Sequence, residues 1–68
     1  MATAAGIHLI HGLQLFPLTE EQRGAIYIAL KTDEQKVMFM KYMANHEHAT
    51  AQELMNELGR ILKMTLKK

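Results

Sequence analysis

Apolar and polar positions recur with a helical period over most of this chain, most clearly in its last third. Ala51, Leu54, Leu58, Ile61, Leu62 and Thr65 return at i, i+3, i+4 and i+7, so a helix places them on one face. Asn56, Arg60, Lys63 and Lys67 fall on the opposite face. This spacing predicts an amphipathic helix over 51–66. Gly59 interrupts it at a cost of about 1 kcal/mol relative to alanine, which the apolar face can absorb. The lysines near its end suit the negative pole of the helix dipole.

Upstream the stripes are less narrow. Over 33–45, Val37, Phe39, Met40, Met43 and Ala44 cover one broad face, while Met38 and Tyr42 pair at i, i+4 on the other. Over 20–30, Ile26, Ala29 and Leu30 group together, but Ile28 projects on the far side beside Glu21 and Gly24. Only Lys31 and Thr32 separate these two segments, which predicts a tight corner.

Helix starts are marked by threonine in each case. Thr19-Glu20-Glu21-Gln22, Thr32-Asp33-Glu34-Gln35 and Thr50-Ala51-Gln52-Glu53 each place Gln or Glu three residues after a threonine. In such a capping box the threonine oxygen accepts from the third backbone N–H, and the Gln or Glu side chain accepts from the threonine N–H. Acidic residues in all three first turns add a favourable interaction with the dipole. Pro17 bars continuous helical entry from the N-terminal segment.

That segment, 4–16, admits two readings. As a helix it aligns Leu9, Leu13 and Phe16, with Ile10 close by; as a hairpin it turns at His11-Gly12. The hairpin mixes polar and apolar residues on both faces, and an isolated hairpin is marginal in water. The helix is preferred. The fold expectation is therefore an all-α, single-domain bundle of three or four helices spanning 1–68.

Composition narrows the function. The chain has 68 residues, no cysteine, no serine, no tryptophan and a single aspartate, Asp33. Serine and cysteine nucleophiles, thiolate metal sites and disulfide staples are excluded, and Gly6, Gly12, Gly24 and Gly59 stand too far apart to form a phosphate-binding loop. A domain this small has little chain left over for a substrate pocket. The expectation is no enzyme, no cofactor and no small-molecule substrate. The apolar run 7–16 has no basic residue before it and is broken by His8, His11, Gly12 and Gln14, unlike a signal peptide. With no membrane-length apolar run either, the expected location is cytoplasmic.

The histidines fall in two pairs, His8 with His11 and His46 with His48. Neither shows the i, i+4 spacing of a zinc-binding helix, so a metal site is not expected. Two functional readings remain. The net charge is only +1, but residues 49–68 carry Arg60, Lys63, Lys67 and Lys68 against Glu53 and Glu57. Leucines at 54 and 58 followed by Gly59 and Ile61 partly resemble a helix-turn-helix. Residues 33–68 would then form a minimal DNA-binding regulator, with those four basic residues on phosphates.

The favoured reading is a non-enzymatic interaction or regulatory protein. Apolar residues make up 49% of the chain, six of them methionine, more than so small a core can bury. Ile28, Met38, Phe39 and Tyr42 are the expected partner-binding residues. The expected partner is another protein or a second copy of the chain, as a homodimer, and nucleic acid ranks behind.

Overall fold

The computed structural model describes residues 4–66 as four helices: α1 (Ala4–Leu13), α2 (Glu20–Ala29), α3 (Asp33–Asn45) and α4 (Ala51–Leu66). No strand occurs among the described residues, and the N-terminal segment is a helix rather than a hairpin. All three capping boxes close. Thr19 Oγ1 accepts from Gln22 N at 3.0 Å while Gln22 Oε1 accepts from Thr19 N at 2.9 Å. The corresponding pairs are 3.1 and 3.1 Å for Thr32 with Gln35, and 3.2 and 2.8 Å for Thr50 with Glu53.

The helices form a four-membered ring. α1 packs against α2 and α3, and α4 packs against α3 and α2, which leaves α1 and α4 on one diagonal and α2 and α3 on the other. Each contributes to one core: Leu9 and Leu13 from α1, Ile26 from α2 with Leu18 and Leu30 at its ends, Phe39 and Met43 from α3, and Leu54, Leu58 and Ile61 from α4. At roughly 1.5–3 kcal/mol for each large apolar side chain fully removed from water, this cluster is the main stabilising term. A radius of gyration of 11.0 Å matches the value of about 11 Å expected for a compact domain of this length.

α1 ends at Leu13 through tightening i to i−3 bonds, from Gln14 N to His11 O, Leu15 N to Gly12 O and Phe16 N to Leu13 O. Pro17 follows, and Leu18 turns back into the core with its N–H donating to Phe16 O at 2.7 Å. Arg23 of α2 holds this loop by donating from Nη1 to Leu18 O at 3.0 Å.

Two polar groups complete the packing. Gln35 links three places at once: its Oε1 accepts from the Lys31 and Thr32 N–H groups, and its Nε2 donates 2.7 Å to Thr65 Oγ1 on α4. Thr65 in turn donates to Ile61 O at 2.8 Å. The start of α3 is thereby tied to the end of α4. Lys36 is buried along its stem, with Nζ 5.8 Å from the centre of the Tyr27 ring, a cation–π contact that crosses the α2–α3 diagonal.

Candidate interaction surface

The expected partner-binding residues do not assemble into one patch. Ile28 on α2 is 72% exposed, as its position on the far side of that helix predicts. Met38, Phe39 and Tyr42 lie on α3, which does not pack directly against α2. Phe39 must be removed from the surface set, because its ring is fully buried in the core. Met38 and Tyr42 are half-buried and packed against that core. Replacing both with lysine would therefore strike the monomer's packing as well as any interface. The broad α3 face is also narrower than its sequence suggests: Phe39 and Met43 are buried, Met40 is half-buried, and Val37 and Ala44 are exposed.

The surplus apolar width of α3 falls on its α1 side. There a cleft of about 710 Å³ opens between α1, α3 and the loops that follow them. Phe16, Met40 and Met43 form apolar walls, and Ala44 lies on the exposed edge of α3. Gly12 supplies the close approach of the two helices: a Cβ there would come within 3.2 Å of Met43 Cε. Leu15 stands in the α1–α2 loop on the cleft's margin and is 84% exposed, the most exposed large apolar side chain among the described residues. The polar groups of the cleft are His8 on α1, and Glu47 and His48 in the α3–α4 loop.

None of these cleft residues is among the four partner-binding residues expected from the sequence, although His8 and His48 belong to the two histidine pairs and Met40 and Met43 to the methionine-rich stretch of α3. The signal was present in Gly12 at a helix crossing and in Leu15-Phe16 stranded before Pro17. Periodicity does not reach loop residues, and it cannot say which flank of a broad stripe stays open.

A smaller cleft of about 280 Å³ lies between α1 and α2, lined by Ile10, Leu13 and Tyr27 together with Glu20, Arg23 and Gly24. It is less than half the size and flanked by more charge.

The histidines divide by role. His46 caps α3: its backbone N–H donates to Met43 O, its ring stacks on Tyr42 with centroids 4.0 Å apart, and Nδ1 lies 2.9 Å from Tyr42 O. A carbonyl only accepts, so that nitrogen carries a hydrogen. His8 and His48 share the cleft, and His11 is exposed elsewhere on α1. Among the described residues no three His, Cys, Asp or Glu side chains converge as metal ligands do.

The basic residues of the DNA-binding reading fare differently again. α4 is continuous from Ala51 to Leu66, so no turn at Gly59 separates a supporting helix from a recognition helix. Arg60 forks onto the buried Glu57, donating from Nε to Oε1 at 2.9 Å and from Nη2 to Oε2. Those hydrogen bonds first, and then the carboxylate's charge, raise the Arg60 pKa above its ordinary value. Lys63 is exposed, while Lys67 and Lys68 lie outside the described residues.

No protein-family model matches the chain, and neither the curated proteins nor the solved structures contain a significant match. Among the described residues no helix is long and apolar enough to cross a membrane.

Proposed function

We propose that this chain is a non-enzymatic interaction protein whose binding surface is the α1–α3 cleft. The observation that carries the reading is the pairing of an apolar cleft of about 710 Å³ with a leucine at its margin that is 84% exposed. Single exposed leucines are ordinary on protein surfaces, whereas a contiguous apolar cleft beside one is the usual mark of an interface. Met40 and Met43 suit such a surface, because an unbranched thioether side chain adapts its shape to what it meets. The polar margin of His8, Glu47 and His48 gives an incoming chain hydrogen-bonding groups around an apolar centre.

The reading places the chain in the cytoplasm, where a fold built without disulfides needs no oxidising environment. A DNA-binding role has less support, since α4 lacks the turn and Arg60 is held by Glu57.

The test is photo-crosslinking from position 15 in the native host, with a benzophenone amino acid in place of Leu15. The expected result is a covalent protein adduct whose yield falls when Ala44→Glu places a charge in the cleft. Absence of any protein adduct from position 15, with the variant correctly folded, overturns the reading.

A further inference from the structure

Resting on that reading of the cleft, we infer that its occupant is a second copy of this chain, in a two-fold arrangement that exchanges Leu15 between protomers. The cleft and the side chain able to fill it lie on the same face of one molecule. Leu15 projects from the loop directly after α1, and Phe16, Met40 and Met43 form the recess beside it. A surface that carries both a knob and a hole is self-complementary under a two-fold axis. Each copy then offers the same residues and receives the same residues, and the interface closes at two subunits. Leu15 borders the cleft yet stays 84% exposed, so most of its side chain is left for a partner to cover.

Charge points the same way. The margin carries one carboxylate, Glu47, and two imidazoles, His8 and His48. α3 contributes only Met40, Met43 and Ala44 to the cleft, so no other charged group faces it. With Glu47 beside two imidazoles on the same margin, a two-fold arrangement can set the carboxylate of each copy against an imidazole of the other. An imidazole N–H then donates to the carboxylate of the other copy. A net charge of +1 also leaves little repulsion between copies.

The size required is modest. A standard interface takes about 800 Å² from each partner, roughly one sixth of the 4852 Å² this molecule exposes. Val37, 40% exposed on α3, lies three and seven residues before Met40 and Ala44 and so extends the apolar face along that helix.

Sedimentation equilibrium over a wide concentration range tests the inference, on the unmodified chain and on Leu15→Ala, Ala44→Glu, Glu47→Lys and Ile28→Lys. All four positions are exposed, and far-UV circular dichroism checks that each variant keeps its helicity. The expected result is a monomer–dimer equilibrium that Leu15→Ala and Ala44→Glu each weaken by about tenfold or more, Glu47→Lys by less, and Ile28→Lys not at all. A monomer at every concentration overturns self-association. If crosslinking from position 15 then captures a different protein, the cleft remains a binding surface and only the second copy is wrong. If crosslinking also fails, both readings fall. A dimer that Ile28→Lys dissociates and Leu15→Ala leaves intact overturns the cleft as the dimer face.

Discussion

α4 and α3 serve one core with different economy. On α4 the apolar stripe is narrow: Leu54, Leu58 and Ile61 are buried, Ala51 and Leu62 are half-buried, and Asn56, Arg60 and Lys63 face water. On α3 the stripe is broad, and only Phe39 and Met43 disappear into the core alongside the stem of Lys36. Tyr42 and Met38 occupy one flank and pack against the core, while Met40 and Ala44 occupy the other and border the cleft. A helix contacts its core over a limited arc. A stripe wider than that arc leaves apolar surface at the margin, and what sits beside the margin decides whether it is covered. On α4 the exposed large apolar side chain among the described residues is Met64, near the helix end and away from the stripe; on α3 the excess borders the stripe itself, and the α1 side leaves it open.

The sharpest way to break this comparison is to truncate one residue from each class. Phe39→Ala should cost roughly 3–5 kcal/mol, enough to threaten folding of a domain this small, whereas Leu15→Ala should stay within about 0.5 kcal/mol. Urea denaturation followed by circular dichroism, at a protein concentration where the chain is monomeric, compares them. Similar costs for the two would erase the distinction between core and cleft. Next in size, Gln35→Ala removes both the reach-back of the α3 capping box and the tie to Thr65, and should cost about 1–2 kcal/mol in the same assay. Thr65→Val, which removes the tie and keeps the box, should cost less than Gln35→Ala.

The smallest expected effects are stabilising. Gly59 sits in the middle of α4 with open space where a Cβ would go, so Gly59→Ala should add about 0.5–1 kcal/mol. Gly12→Ala offers the same helix-propensity gain, but its methyl would press on Met43 Cε from 3.2 Å. Its gain should be smaller than that of Gly59→Ala, and it should also weaken association by narrowing the cleft. Equal gains at the two glycines, measured by thermal unfolding, would mean the α1–α3 approach is looser than its geometry implies.

The pattern of the chain carried the helices well. Three threonine boxes marked the starts of α2, α3 and α4, because their hydrogen bonds are local and need no knowledge of the fold. The exposure of Ile28 and the inward face of α4 were legible for the same reason, since a residue's angular position on a helix follows from its number. What stayed hidden depends on neighbours. Phe39 reads as readily as surface or core until α1 and α4 flank it. Thr65, a polar residue on the inward face of α4, makes sense only once Gln35 arrives from α3 to meet its hydroxyl. Lys36, a charged residue, is buried with its ammonium near the Tyr27 ring across the diagonal, a neighbour its own helix does not reveal. The cleft was least legible of all, because four of its nine lining residues come from two loops and its opening depends on how closely Gly12 lets α1 approach α3.

The most direct test of the central claim reads the methionines, which sit on both flanks of α3. Met40 and Met43 line the cleft, Met38 lies on the opposite flank, and Met55 packs from α4. With methyl-labelled methionine, two-dimensional NMR spectra recorded across a concentration series should show the Met40 and Met43 signals moving together as the protein associates, while Met38 and Met55 hold still. Movement of Met38 and Met55 instead, or no movement of any methionine signal up to millimolar protein, would contradict the account.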